Sequence, residues 1–197
     1  ISGETEIEGT SEVVLEGVNL KNTKDTVKIA AILNEDAIVL TVENRQKEFD
    51  LALRKFITGV NGTALDEEES REPVVNISKL ANEETTTAKY THTKVPIEVH
   101  VQDVVEYTIR VYNEGEVDGY ANEITDHLPD QLEFLPDNEI NKKYGWTVDA
   151  QNSKIVKTKY LSKDNGTDNL IQAFDGQELK YKDVQIACKV VATNPMP

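Results

Sequence analysis

The chain has 197 residues, a formal net charge of −15, 38% hydrophobic residues and 6% aromatic residues. Its length allows one large domain or two small ones. The acidity argues against a nucleic-acid partner, because phosphate binding requires a clustered basic face. A soluble, self-repelling surface explains most of the 36 acidic residues.

A single cysteine excludes a disulfide within the chain, so an exported protein of this size must gain mechanical strength in another way. No stretch approaches the length of a membrane span, and we expect no direct membrane insertion. The chain opens on Ile1 and ends on Pro197 without a signal peptide or sorting tail. We interpret it as a fragment of a longer protein whose last domain is truncated at its C-terminal end.

The first 46 residues predict a partial β-rich domain or linker segment. Three runs rich in apolar, β-forming residues lie at 12–16, 26–33 and 37–42, and polar turn residues separate them. Three strands are few for an independent sandwich. We therefore predict that residues 1–46 end a preceding β-domain, with a linker at 43–46.

Residues 47–197 predict a second domain built from strands. Its first strand is expected at 49–57, and the acidic run at 66–72 is expected to form a solvated loop. The other predicted elements are strands at 95–101, 104–113, 120–126, 131–135 and 184–191, a hairpin or irregular excursion at 140–161 and a short helical turn at 169–174. No helix-period segment of useful length occurs. The pattern favours an all-β fold, an Ig-like β-sandwich with Greek-key connections.

The most informative segment is 103–136. An alternating apolar and polar run ends at Asn113-Glu114-Gly115, and a second run closes on Thr125-Asp126-His127-Leu128-Pro129 before the apolar Leu132-Glu133-Phe134. Strand, turn, strand and proline stop in this order are typical of a half-buried antiparallel structure.

This segment resembles the bacterial surface conserved-repeat family, catalogued as domain of unknown function eleven. That family combines a hydrophobic strand ending in Asn-x-Gly, a spacer, a Thr-Asp-x-Leu-Pro element and a further apolar strand. The three elements above match this pattern in order, closely over 103–136 and more loosely from residue 47 onward. The resemblance implies a structural module of an extracellular wall or surface protein rather than an enzyme. Neighbouring domains of the same polypeptide would be its first partners.

Lys55 stands out in the first predicted strand of the second domain. Alternate residues of a strand share a face, so Lys55 lines up with Phe49, Leu51, Leu53 and Ile57 on the face expected to line the core. Lysine is almost never fully buried unless it is paired. Three explanations remain open. The stem snorkels or the strand end is exposed; the amine forms a buried salt bridge; or the amine attacks an Asn carboxamide to form an intramolecular isopeptide bond, which burial favours because it favours neutral lysine.

The isopeptide alternative comes from a resemblance to sandwich modules of wall-anchored Gram-positive surface proteins and pili. In those modules the lysine lies on the first strand and a helper Asp or Glu lies on an adjacent strand, which implies Lys55 as the amine and Asp126 as the helper carboxyl. Asp126 shares its strand parity with Ile124 and Leu128, so it is expected to face inward. The alternative for Asp126 is a turn residue that bonds to backbone amides ahead of Pro129.

The Asn partner of such a bond has no strong candidate. Asn194 is the nearest in chain order, but it precedes a proline close to the end of the chain. Asn113 has an inward parity, yet as the turn residue of Asn-x-Gly it is expected to be structural. Either the bond closes with residues beyond this fragment or it is absent. A sheet without its closing strand would leave an edge free to pair with another chain.

The remaining chemistry-bearing residues predict structural roles. His92, His100 and His127 have no ligand spacing, so no metal site is expected, and Cys188 is predicted to lie in the core. The run 164–169 has oxygen-bearing side chains at alternate positions but lacks the bidentate Glu of an EF-hand loop, which favours a polar turn over a calcium site. Glycine loops for phosphate and paired catalytic carboxylates are absent, so we expect no cofactor and no enzymatic activity.

The sequence therefore favours a stalk or spacer module of a bacterial cell-surface or adhesin protein, located outside the cell at the wall. One alternative is an adhesin module that binds a carbohydrate or a host surface protein through loops around 63–72 and 140–168. There, Tyr144 and Trp146 are candidates either to stack on a sugar or to pack a hairpin. A second alternative is a filament subunit completed by strand exchange with the next molecule.

Overall fold

The computed structural model describes residues 26–34, 37–45 and 47–192, and the chain divides into two compact units, 1–47 and 48–197. The first unit contains an antiparallel hairpin of β1 (Thr26–Asn34) and β2 (Ala37–Arg45), paired from Thr26 opposite Arg45 to Asn34 opposite Ala37. The strands predicted at 26–33 and 37–42 are confirmed. The predicted linker at 43–46 is wrong over most of its length, because β2 continues to Arg45. The predicted run at 12–16 lies outside the described residues.

Strands and two short helices make up the described part of the second unit. The strands are β3 (Leu51–Val60), β4 (Thr63–Ala64), β5 (Val74–Asn76), β6 (Lys89–Thr91), β7 (Val104–Asn113), β8 (Ile124–His127), β9 (Leu132–Phe134), β10 (Thr147–Val148), β11 (Ile155–Thr158) and β12 (Tyr181–Val190), and the helices are α1 (Ser78–Ala81) and α2 (Glu139–Lys143). They form a five-stranded sheet in the order β4-β3-β7-β12-β9, a three-stranded sheet in the order β10-β11-β8 and the hairpin β5-β6. All pairings are antiparallel. The predicted all-β sandwich class is confirmed.

The hydrophobic core lies between the five-stranded and the three-stranded sheet. On β7, alternate residues Val105, Ile109 and Val111 point inward and are at most 4% exposed. The other sheets and connections add Ala121, Ile124, Leu128, Leu132, Phe134, Tyr144, Trp146, Val156, Leu161, Ile171, Val184, Ile186, Cys188 and Val190. Because full burial of one aliphatic side chain contributes about 1.5–3 kcal/mol, this layer is the main source of stability.

The opposite face of the five-stranded sheet is covered by the β5–β6 hairpin. Tyr90 of β6 packs on Tyr112 of β7 with ring centroids 5.1 Å apart, and Tyr112 packs on Tyr181 of β12 at 5.5 Å. The Arg54 guanidinium of β3 lies 3.8 Å from the centre of the Tyr90 ring. Both faces of β7 are therefore covered, so even its outer-face residue Thr108 is buried.

The predicted strand at 95–101 is not formed. Pro96 has no N–H to donate to a ladder, and Val95 is 65% exposed while its carbonyl accepts a hydrogen bond from Arg71 Nε at 2.9 Å. The segment runs from β6 to β7 without strand pairing, and Val99 packs against the core.

Two further local predictions are corrected. The excursion at 140–161 begins with helix α2, whose N-cap residue Asn138 accepts a hydrogen bond from the Ile140 N–H at 2.9 Å, before the β10–β11 hairpin follows. The helical turn predicted at 169–174 occurs earlier, as 3₁₀ turns at Lys163–Asn165 and Thr167–Asn169. None of the described helices is long and apolar enough to cross a membrane.

Candidate functional site

Lys55 lies on the inner face of β3, the strand beside β7. It pairs with Ile109, a core residue, so the two side chains point to the same side of the sheet. The Lys55 side chain is 28% exposed. Its Nζ atom is 4.6 Å from the centre of the Tyr107 ring, within the range of a cation–π contact.

Asp126 comes from the opposite sheet and meets this lysine. It lies on β8 opposite Val156 of β11, and its side chain is 12% exposed, so it faces inward. Lys55 Nζ donates a hydrogen bond to Asp126 Oδ2 at 2.5 Å. Of the three explanations for Lys55, the structure shows the salt bridge. The alternative of Asp126 as a turn residue is not seen, because the Leu128 N–H donates instead to the Lys154 carbonyl.

This pair joins the two layers of the sandwich. β3 lies next to the two-residue strand β4 at one side of its sheet, and β8 is an edge strand of the other sheet. A charge-assisted hydrogen bond is shorter and stronger than a neutral one. The pair therefore links the two sheets through side chains.

Asn113 is a structural residue in this arrangement. It is fully buried, its Nδ2 donates to the carbonyls of Val117 and Ile171 at 2.9 and 3.0 Å, and its Oδ1 accepts from the Gly115 N–H at 2.9 Å. Both N–H donors of the amide and one acceptor site of its oxygen are thus used. The Asn-x-Gly element holds the turn after β7 against the Gly119–Ile171 bridge.

Sequence reasoning missed a second buried amide, Asn141 of α2. Its Nδ2 donates to the carbonyls of Leu135 and Ala187 at 2.8 Å each, and its Oδ1 accepts from the Ala187 N–H at 2.9 Å. It fastens α2 to the last strand and is committed to that role. Asn194, the named candidate for an isopeptide partner, lies outside the described residues.

A cleft runs beside the edge of β3 at the position of Lys55. It has a volume of about 1220 Å³ and is lined by residues 55–57 of β3 and by the segment 92–101, with Tyr107 and Leu132 on the core side. Among the described residues, β3 is paired on this side only at Gly59 and Val60, by β4. The lysine amine therefore lies next to an open sheet edge rather than in an enclosed pocket.

The outer face of the sheet holds a charged cluster around Arg110 that sequence reasoning also missed. Arg110 Nε and Nη2 donate to the two carboxylate oxygens of Asp183 at 2.8 and 2.9 Å, and Nη1 donates to Glu72. The guanidinium lies 3.9 Å from the centre of the Tyr181 ring. Burial lowers the pKa of Arg110, but the hydrogen bonds to Asp183 and Glu72 outweigh it, so the pKa is raised above its ordinary value.

The other predicted sites have structural roles. Tyr144 and Trp146 are 8% and 6% exposed, and Trp146 Nε1 donates to the Gln185 carbonyl at 2.7 Å, so they pack the hairpin. Cys188 is fully buried, and burial raises the pKa of its thiol to about 12. Within the described range, no group of three or more His, Cys, Asp or Glu residues is placed to hold a metal ion.

The run 164–169 forms a polar turn held by its own amides. Asn165 and Asn169 both donate through Nδ2 to the Tyr160 carbonyl, at 2.8 and 2.7 Å, and Asn169 also donates to the Ser162 carbonyl at 3.3 Å. These bonds fix the two asparagine side chains against the backbone of residues 160–162. The geometry is that of the polar turn.

Comparison of the chain with protein-family models, with curated proteins and with solved structures finds no match.

Proposed function

We propose that the chain is a non-enzymatic structural module of a bacterial surface protein, a stalk or spacer that holds a functional tip away from the cell wall. The main support for this proposal is the Lys55–Asp126 pair, which joins the two sheets at β3, the first strand of the sandwich. A module under mechanical tension must resist separation of its two sheets. Because the chain has a single, buried cysteine, a disulfide does not supply that resistance.

In the proposed module, this pair supplies the amine and the helper carboxyl group for an isopeptide bond between Lys55 and an Asn side chain. Transfer of one proton along the 2.5 Å hydrogen bond turns the ion pair into a neutral amine and a protonated carboxyl group, the two forms that the reaction needs. The Lys55 Nζ then attacks the Cγ atom of an Asn carboxamide. The Nζ–Cγ bond forms, the Cγ–Nδ2 bond breaks, and the amide nitrogen leaves as ammonia with an amine proton, relayed by Asp126.

The carboxamide must come from a strand that runs along the open edge of β3. Asn113 and Asn141 are committed to backbone hydrogen bonds, so neither is the electrophile. Asn194 and any Asn of an adjoining segment in the parent protein are the remaining candidates. The amine of Lys55 and the carboxyl group of Asp126 are thus already in contact, whereas the Asn side chain must still be brought to them.

Intact mass measurement tests the cross-link. Loss of ammonia lowers the mass of the chain by ~17 Da. The Lys55→Arg and Asp126→Ala variants should instead have the masses calculated from their sequences. If the unmutated chain has its calculated mass and amine reagents label Lys55, the cross-link does not form in this chain. The stalk role is tested separately, by showing whether the parent protein is labelled at the surface of intact cells.

A second candidate function is glycan binding, favoured by one cleft in the predicted 140–168 region. This cleft of about 600 Å³ is lined by polar and aromatic side chains, including Asn122, Lys143, Tyr160 and Asn165. Two of its lining residues are in contact, since the Lys143 Nζ atom lies 4.9 Å from the centre of the Tyr144 ring. Binding on a glycan array that is lost in Lys143→Ala, but retained in Lys189→Ala on the far strand β12, would favour this function over the spacer.

A further inference from the structure

The edge of β3 has one row of backbone groups without a strand partner in the described part of the chain. The Glu114 and Glu116 N–H groups donate to the carbonyls of Asp50 and Glu48, so even-numbered residues here bond toward β7. By alternation, the odd-numbered residues 49–57 direct their N–H and C=O groups away from β7. β4 covers only the end of β3, at Gly59 and Val60. Such a row is a template for another strand.

This edge is also unusually apolar for a solvent-facing strand. Phe49 and Leu53, both on the odd-numbered side, are each 42% exposed. The Leu53 carbonyl accepts a hydrogen bond at 2.6 Å from Nη1 of the adjacent Arg54, a local donor that a partner strand would replace. Soluble proteins usually protect edges with bulges, prolines or inward-pointing charges, and the inward-pointing charge on this stretch, Lys55, is neutralised by its contact with Asp126. The bulge of β3 lies beyond this stretch, between Ile57 and Gly59.

We propose that a second copy of this chain pairs with β3 through the same strand, antiparallel and centred on Ala52. In this register Leu51 faces Leu53 of the second copy, and Arg54 faces Asp50 of the second copy, so each contact occurs twice. Two-fold pairing of one surface patch with itself is the commonest form of homo-oligomer. The five-stranded sheet would then continue across the dimer.

The charges of the strand select this register from its neighbours. Odd-numbered residues must face odd-numbered residues, since these carry the free backbone groups. Centring on Leu51 sets Lys47 opposite Lys55, and centring on Arg54 sets that residue opposite itself; both are destabilising like-charge pairs. Centring on Leu53 brings no opposite charges together. Only the Ala52 register pairs opposite charges without setting like charges against each other.

Cysteine cross-linking tests the register directly. Ala52 would face Ala52 of the second copy as a non-hydrogen-bonded pair, with Cα atoms about 4.5 Å apart, which lies within the range of a disulfide. The native Cys188 is fully buried, so Ala52→Cys introduces one accessible thiol. Mild oxidation of the full chain should convert Ala52→Cys to a disulfide dimer at least tenfold faster than Ser153→Cys, a matched variant in an exposed turn. Equal rates would overturn the proposal.

Charge reversal provides an independent test by sedimentation equilibrium. Asp50→Arg or Arg54→Asp alone should weaken dimerisation about tenfold, because two attractive pairs become repulsive, and the double variant should recover the affinity. Trp146 fluorescence verifies that each variant is folded. A monomer at every concentration, or no recovery in the double variant, would contradict the pairing. A ladder of larger species would also contradict it, since head-to-tail strand exchange does not close into a dimer. In this dimer the second copy occupies the β3 edge that the Asn-bearing strand of the proposed isopeptide bond would need. The two are distinguishable, because the dimer forms from chains of unchanged mass, whereas the cross-link lowers the mass of the single chain.

Discussion

Lys55 and Asp126 are 71 positions apart in the chain, yet the amine of one donates to the carboxylate of the other at 2.5 Å and joins the two sheets of the sandwich. The lysine extends past the Tyr107 ring, and the carboxylate is 12% exposed. The pair is therefore intermediate between a solvated surface ion pair and a fully buried one. We therefore expect its contribution to stability to lie between those of exposed and of buried ion pairs.

Asp126→Ala should destabilise the second unit by about 1–3 kcal/mol, between the values for exposed and for buried pairs. The loss arises mainly because Lys55 keeps a charge in a largely covered site without a partner. The double variant Lys55→Met with Asp126→Leu should recover most of the loss, since apolar side chains of similar size replace such pairs well. Urea unfolding followed by the fluorescence of Trp146, the only tryptophan, reports on this unit. A double variant less stable than Asp126→Ala would contradict this explanation.

The sequence predicted the inward direction of Lys55 and Asp126 because strand parity is a local property. It did not predict their contact, which depends on how β3 and β8 are placed in two different sheets. Arg110 was missed for a related reason. It lies on the face of β7 that alternation assigns to solvent, but Glu72 and the β12 residues Asp183 and Tyr181 contact it there. Such coverage comes from tertiary packing and leaves no local pattern.

At 95–101 the local strand pattern is present, but the strand is not formed. Apolar residues do alternate there, but Pro96 removes a donor, and none of the strands between residues 47 and 192 pairs with the segment. The helix α2 was missed because five residues are too few to show a helical period, although Asn138 is a favourable N-cap residue. The all-β class was predicted correctly despite these errors, because it rests on many strand patterns and not on any single one.

Gly115→Ala should destabilise the fold by about 1–3 kcal/mol, the usual cost of forcing an extra methyl group into a packed site. A Cβ atom at this position would lie 2.5 Å from both the Asp50 nitrogen and the Glu48 oxygen, which are backbone atoms and cannot move separately. The start of β3 would have to shift away from the Asn-x-Gly turn. Urea unfolding by Trp146 fluorescence measures the loss.

Gly119→Ala is the matched control for this substitution. Its Cβ atom would lie 2.2 Å from the Phe49 ring, a side chain that is 42% exposed and has room to rotate. We expect a loss below about 1 kcal/mol, typical of surface changes. If both glycines tolerated alanine equally, the close backbone approach at Gly115 would not be the reason for the Asn-x-Gly motif in this chain.

Arg110→Lys should cost about 1–3 kcal/mol, although it keeps the positive charge. Lysine cannot reproduce the paired bonds of the guanidinium to both oxygens of Asp183 or its planar stacking on Tyr181. Glu72→Gln should cost less than about 1 kcal/mol, because the Glu72 side chain is 53% exposed. Thermal unfolding of the two variants separates these expectations. Equal losses of stability in the two variants would mean that the positive charge of Arg110, and not the paired bonds of its guanidinium, stabilises the outer face of the sheet.

Asp103 should give the second unit an acid-sensitive component of stability. Its pKa is lowered in the folded state by the hydrogen bond from the Asn61 side chain and then by the bond from the His100 N–H, at 2.8 and 2.7 Å. A carboxyl group whose pKa is depressed by folding stabilises the fold above its unfolded pKa, about 3.9 for Asp. That contribution is lost as the pH falls through the lower, folded pKa.

Asp103→Asn should therefore reduce stability at pH 7, and the difference from the parent chain should shrink as the pH is lowered from about 5 toward 3, the window set by the unfolded pKa of Asp and the lower folded value. Asp137→Asn is the control, because the Asp137 side chain is 96% exposed and its ion-pair partner Lys142 is exposed too. Urea unfolding at several pH values, read from Trp146, gives both profiles. A difference between Asp103→Asn and the parent that stays constant down to pH 3 would show that Asp103 acts through the shape of its hydrogen bonds alone and not through its charge.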